Sequence, residues 1–196
     1  MKTKKNTDLI IKHISLLQSR IDNNFKELKN NNISNQDIRY NDRARYVGQV
    51  VNGIREGKGI LYFKDGDRYE GDFKNGKREG RGIYYFKSGN RYEGEYRNDK
   101  AEGKGIKYWN IEPWKGDRYE GDWRNDKREG KGIYYFNNGD RYEGDWKNGV
   151  REGKGIFNSN NGNRYEGDFK NDKFEGKGIM YWNDGDKYEG DFKNGK

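Results

Sequence analysis

Carboxylates stand in close pairs along this chain, as at Glu70 and Asp72. Two carboxylates at short spacing are the usual equipment of general acid and base catalysis. Here the pair recurs in nearly every stretch and always beside Lys or Arg, so ladders of opposite charge explain it better than a reactive dyad. His13 is the one histidine, and the sequence has no cysteine. A lone His builds neither a catalytic triad nor a zinc site of the usual kind. The Gly-x-Gly elements lack the third glycine of a dinucleotide loop and the Lys-Ser/Thr ending of a phosphate loop. They follow a turn signal and open no helix. The expectation is a protein that is not an enzyme, with no catalytic residue, metal, cofactor or small-molecule substrate.

The bulk composition agrees. Only 29% of the residues are hydrophobic and 38% are charged, too polar for a thick two-layer core. The 16 Tyr, 9 Phe and 5 Trp argue equally against disorder. No run approaches a membrane span, and the apolar stretch near the start is too short for a signal peptide. A cytoplasmic location is the default. Residues 1–45 hold ten Lys/Arg against five Asp/Glu, whereas residues 46–196 hold 31 against 28. The basic excess therefore sits in the N-terminal segment. Phosphate binding needs a concentrated positive field, so nucleic acid is excluded as a partner of the long segment.

What positions these charges is a repeat. Tyr-x-Gly recurs at Tyr46, Tyr69, Tyr92, Tyr119, Tyr142, Tyr165 and Tyr188, in steps of 23 residues broken once by a step of 27. The long step carries an insertion at about 111–114, with the only proline, Pro113, beside Trp114. A second mark, Glu-Gly-Lys/Arg-Gly-Ile, begins at Glu56, Glu79, Glu102, Glu129, Glu152 and Glu175. Each unit reads as two short strands separated by Asn/Gly turn signals. The expected fold is all-β: an elongated, single-layer, twisted antiparallel meander of about six and a half hairpin repeats, roughly 60 Å long.

Side-chain alternation then sorts the residues into faces. A four-residue loop over 75–78 would set Lys74 against Glu79, Phe73 against Gly80, Asp72 against Arg81 and Gly71 against Gly82. A three-residue loop over 87–89, with Gly89 left-handed, would set Gly82 against Gly94 and Arg81 against Glu95. One face carries Tyr69, Gly71, Phe73, Gly80, Gly82, Tyr84 and Phe86, so rings can lie across glycines and cover the backbone without a second layer. The other face carries charge, Ile and Tyr. Tyr62, Tyr85, Tyr108, Tyr135 and Tyr181 form its recurring aromatic stripe and are the candidate partner contacts, together with Trp114 in the insertion. Two other readings stay open: the array twists enough to bury the stripe, or the N-terminal helix lies along it.

That helix is expected over about 8–30. Ile10, Ile14, Leu17, Ile21 and Leu28 recur at helical spacing, followed by a polar linker over about 30–37. It can dock on its own array, pair with a partner helix, or lie on an anionic membrane surface.

The motif in "YEGDFKNGKREGRG", repeated in phase over residues 46–196, resembles the MORN family (membrane occupation and recognition nexus). The resemblance implies an elongated antiparallel array that acts by protein binding or self-association, in cytoskeletal or ciliary (axonemal) scaffolds. It leaves two alternatives: a membrane-recruitment module binding anionic phospholipid through the basic N-terminal helix, and the regulatory region of a phosphoinositide-kinase-like enzyme. Two positions depart from the pattern. Ser159 stands where an aromatic rung is expected, and Lys107 stands where the second unit has Tyr84, so Lys107 is expected near a rim.

Overall fold

Arg-Tyr-Glu-Gly strands of seven residues alternate with Glu-Gly-x-Gly-Ile strands of nine, because each Asn turn and each Gly-Asp or Gly-Asn turn reverses the chain. In the computed structural model, which describes residues 33–196, these strands are β1 (Ile33–Arg39), β2 (Arg45–Val51), β3 (Ile54–Tyr62), β4 (Arg68–Lys74), β5 (Lys77–Tyr85), β6 (Arg91–Arg97), β7 (Lys100–Tyr108), β8 (Arg118–Arg124), β9 (Lys127–Tyr135), β10 (Arg141–Lys147), β11 (Val150–Asn158), β12 (Arg164–Lys170), β13 (Lys173–Tyr181) and β14 (Lys187–Phe192). They form one 14-stranded antiparallel sheet in strict sequence order. The helix expected at 8–30, with Ile10, Ile14, Leu17, Ile21 and Leu28, lies outside the described residues.

The sheet starts earlier than the repeat does. Strand β1 pairs with β2 from Ile33↔Val51 to Arg39↔Arg45, where a polar linker was expected. Its sequence, Ile-Ser-Asn-Gln-Asp-Ile-Arg, lacks the Tyr-x-Gly mark but supplies the backbone that β2 needs on its open side.

The register is half as expected. Gly71↔Gly82, Gly82↔Gly94 and Arg81↔Glu95 all form, and Gly89 is left-handed at φ 92° in its three-residue loop. The four-residue loop over 75–78 does not form. Asn75 and Gly76 alone make the turn, both with positive φ (50° and 80°), so Lys74 faces Lys77 and Phe73 faces Arg78. Such a turn matches strand twist, and the charge pairs that favoured a wider loop are each worth only ~0.2–1 kcal/mol. A bulge between Gly71 and Phe73 restores the outer register, with Gly80 left-handed at φ 73°. Gly80 consequently leaves the aromatic face: a Cβ there would meet the Asp72 carboxylate at 3.0 Å. Asp72 Oδ2 instead accepts the backbone N–H of Arg81 at 3.0 Å.

The core is one face of this single sheet. Tyr69 is fully buried, and its ring lies across the Gly71/Gly82 pair, where a Cβ on Gly82 would stand 2.3 Å from its hydroxyl. That hydroxyl donates to the Asp72 carbonyl at 3.0 Å. The same motif is built on Tyr46, Tyr92, Tyr119, Tyr142 and Tyr165. Each tyrosine then meets the aromatic residue of the next repeat edge-on and, except for Tyr46, whose strand carries Val50 at that place, the aromatic residue of its own strand as well. Tyr46, Phe73, Tyr69, Tyr96, Tyr92, Trp123 and Tyr119 follow one another at ring separations of 5.0–5.4 Å. The chain of rings continues through Trp146, Tyr142, Phe169, Tyr165 and Phe192 to Tyr188. Each such pair adds about 0.5–1.5 kcal/mol beyond area burial.

Two substitutions check this packing. Gly82→Ala should displace the Tyr69 ring and destabilise by on the order of 3 kcal/mol, read as a fall in Tm of roughly 6–12 °C. Lys77→Ala, on an exposed side chain next to the turn, should shift Tm by no more than about 2 °C.

Candidate functional site

Three cross-strand rows make up the face opposite the rings. In the first, Tyr62, Arg68, Tyr85, Arg91, Tyr108, Arg118 and Tyr135 are successive partners. In the second, Ile60, Glu70, Ile83, Glu93 and Ile106 alternate. In the third, Lys58 pairs with Asp72, Lys104 with Asp122 and Lys154 with Asp168, at 2.5–2.7 Å between charged atoms.

The structure therefore brings the stripe tyrosines into one row, and it gives them neighbours the alternation pattern did not reveal. Arg68 stacks on the Tyr85 ring at 4.3 Å, Arg91 on Tyr108 at 4.4 Å and Arg118 on Tyr135 at 4.3 Å. Tyr62 has Arg45 at 5.6 Å, and Tyr181 has Arg164 at 5.6 Å. The same arginines reach back to the second row, as Arg68 does to Glu70 at 3.0 Å and Arg118 to Glu120 at 3.2 Å. All five rings are half-buried, one side on a guanidinium and the rest toward solvent. In the fifth repeat Asn158 takes the tyrosine's place and the row is interrupted.

The carboxylate pairs find fixed tasks in this face. Glu70 holds Arg68, and Asp72 holds Lys58 and the Arg81 amide. Asp122 is kept below the usual carboxylate range, because hydrogen bonds from Lys104 and the Lys131 amide outweigh the opposing effect of its burial. Burial acts the other way on the phenols of the ring face and pushes Tyr46 and Tyr165 up to about 12.

Trp114 is 51% exposed and stands at the tip of the insertion, on a loop whose Glu112–Pro113 peptide is cis. Behind it, Asp117 is buried and accepts from the Tyr134 hydroxyl and the Asn137 amide. Lys107 is not at an open rim. It is half-buried between Phe86 and Trp109, its ammonium 5.4 and 5.1 Å from the two ring centres, and burial lowers its pKa. The expected gap at Ser159 is filled by polarity, with its hydroxyl donating to Asp140 at 3.2 Å.

Sequence reasoning missed a column of cations on the ring face. Arg55, Arg78, Arg128 and Arg151 occupy equivalent positions there, each over one or more rings. Each also donates to a backbone carbonyl in the turn of the next repeat. Their signal is the Arg two residues past each Asn-x turn, replaced by Ala101 and Phe174 in two repeats. The wide loop assigned to 75–78 hid it.

A family model for the MORN repeat matches residues 46–68, 69–91, 92–111, 119–141, 142–164, 165–187 and 188–196. The chain belongs to the MORN-repeat family. Strand β1 precedes the first MORN unit. A comparison with curated proteins returns no match. Among solved structures, the array is similar to the TCP domain of SAS-4 (dCPAP) from Drosophila melanogaster, solved with a proline-rich motif of Ana2 (dSTIL). Identity is 14%, coverage 81% of this chain and 90% of that one, and the TM-score 0.44. The TCP10 domain of Danio rerio CPAP, solved with a STIL peptide, is 12% identical, with coverage of 80% and 83% and a TM-score of 0.29. At these scores the likenesses carry no functional argument.

Replacing Tyr85, Tyr108 and Tyr135 together by Ser removes three stacked pairs from the charged face, each worth about 0.5–1 kcal/mol. The triple variant should keep its β circular dichroism. Its loss in Tm should be smaller than that of the single Gly82→Ala change.

Proposed function

We propose that this MORN array is a non-catalytic scaffold that holds protein partners in a cytoskeletal or ciliary assembly. One observation carries the reading: the half-buried Tyr and Ile rows repeat in phase along a sheet over which, among the described residues, no second layer lies on either face. Tyrosine on a rigid frame offers contact area at low entropy cost, and a long apolar stripe edged by charge is a common mark of an interaction surface. The repeating carboxylates support the non-catalytic part, since those described above are occupied in ion pairs and amide contacts. The assembly is named from the company that MORN arrays keep.

Proximity labelling in the protein's own cells tests the proposal. The wild-type chain should label a reproducible set of proteins enriched in cytoskeletal or ciliary components. The folded Tyr85/Tyr108/Tyr135→Ser variant should lose most of that set. An unchanged set would move the contact off the charged face, and a set without cytoskeletal or ciliary members would remove the assembly from the proposal.

A second reading, recruitment to anionic membrane, is favoured by the basic excess in residues 1–45. Vesicles of phosphatidylserine and phosphatidylcholine decide it. If it holds, they sediment the full chain and leave a chain of residues 33–196 in solution. The scaffold reading expects both to stay in solution.

A further inference from the structure

Two of the four ring-face arginines, Arg78 and Arg151, are held by a carboxylate from the next turn, and two, Arg55 and Arg128, are not. Asp99 Oδ1 accepts the backbone N–H of Arg78 at 2.9 Å and its Nε at 3.3 Å. Asp172 Oδ1 accepts the same two groups of Arg151 at 2.9 and 3.1 Å. In both repeats the carboxylate comes from the second residue of the Asn-Asp turn. Arg128 stands in the same place, since it faces Trp123 as Arg78 faces Phe73, and it donates to the carbonyl of residue 149. Residue 149, however, is Gly. Among the described residues no carboxylate lies within ion-pair distance of Arg128, and its one side-chain hydrogen bond is to that carbonyl.

The seat left by the missing carboxylate is open. A Cβ on Gly149 would meet nothing within 4 Å. The guanidinium beside it is held in place, 4.3 Å from the Trp146 ring centre and 5.3 Å from that of Tyr134. A cavity of about 370 Å³ opens next to it, rimmed by Pro113 and the exposed Trp114. Asp117 and Asp172 also line this cavity, but both are already engaged, by Tyr134 and Asn137 and by Arg151 respectively. Burial lowers the pKa of Arg128, and an incoming carboxylate would offset that cost. Arg55 has the same gap opposite Gly76, with the Ile54 methyl in ordinary contact at 3.6 Å, but no tryptophan lines the cavity beside it as Trp114 does beside Arg128.

We propose that Arg128 and the space beside Gly149 form a docking site for an acidic peptide segment of a partner protein. An Asp or Glu side chain of that segment takes the seat that Asp99 and Asp172 fill in their own repeats. An apolar neighbour in the segment packs on Trp114. Charge points to this occupant and away from the chain's own tail, since residues 1–32 carry seven Lys/Arg against three Asp/Glu. A charge-assisted bond to a preorganised guanidinium is among the stronger polar contacts available. The proposal rests on the scaffold reading and gives it a chemically defined subsite on the opposite face.

Calorimetric titration of the full chain with acetyl-Glu-Glu-Trp-Glu-Glu-amide, and with the same peptide carrying Gln for Glu, tests it. The Glu peptide should bind the wild type at least about tenfold more tightly than the Gln peptide. Gly149→Asp should place the chain's own carboxylate in the seat, because Asp99 and Asp172 adopt φ of 68° and 66° in the equivalent turns. That variant should melt higher than wild type and bind the two peptides equally. Arg128→Gln should also erase the difference, and if it fails to fold, Gly149→Asp decides alone. Equal binding of the peptides by wild type, binding of neither, or an undiminished preference in the Gly149→Asp chain would overturn the proposal. A Gly149→Asp chain that still labels the wild-type partner set in cells removes this subsite and leaves the scaffold reading standing.

Discussion

The whole array depends on how closely a tyrosine ring can approach the backbone. A sheet with one layer has nothing to cover its peptide groups, and a side chain at Gly71 or Gly82 would hold the ring away. With glycine at both positions the Tyr69 ring lies directly on the strands, and its hydroxyl reaches the Asp72 carbonyl. The glycines cost backbone entropy in a strand interior. The ring returns more than that, because it closes off apolar surface on both strands and meets two further rings edge-on. A fold that is 29% hydrophobic can thereby keep five tyrosines fully buried.

Hydrogen bonds at both ends of the strands carry this local unit into an array. At one end, Glu56, Glu79, Glu102, Glu129, Glu152 and Glu175 each accept the backbone N–H of an Asn in the next turn, at 2.8–3.1 Å. At the other end, Asp67 accepts from the Tyr84 hydroxyl and the Lys87 amide, while Asn90 accepts the Asn110 amide. Every repeat is thus tied to its neighbour by the same few bonds, and stability accumulates along one dimension. The insertion at 111–114 fits because it lengthens a turn and leaves β7 and β8 paired from Gly103↔Trp123 to Tyr108↔Arg118.

Since the structural residues are the same in each unit, the individuality of the protein lies where units differ. Ala101, Asn158 and Phe174 replace the residue that most repeats carry at that place, Lys107 and Ser159 stand where the other repeats have an apolar or aromatic residue, and at the turn position of Gly149 the repeats divide between Gly and Asp. On the ring face these changes remove a cation or a ring from an otherwise regular column, and the choice of Gly or Asp in each turn decides which arginines meet a carboxylate. On the charged face only the tyrosine row is interrupted. A partner reading along the array would therefore meet a periodic surface on one side and a varied groove on the other.

Much of this was legible in the sequence. Tyr-x-Gly and Glu-Gly-x-Gly-Ile in phase sufficed for the meander, for the ring-on-glycine face and for the pairing of Gly82 with Gly94, because alternation in a strand has period two. The stripe of Tyr62, Tyr85, Tyr108, Tyr135 and Tyr181 followed from the same count. What alternation cannot measure is how many residues a turn consumes when a bulge can return the register. Charge matching favoured a wide loop at 75–78, but the left-handed Asn75-Gly76 turn and the bulge at Gly80 won. With them went the placement of Arg78 and its equivalents on the rings. Strand β1 was invisible for a related reason: it pairs through backbone groups that every residue possesses. The stacking of Arg68 on Tyr85 and the open seat at Arg128 depend on contacts between neighbouring strands and repeats, and only the tertiary structure decides those.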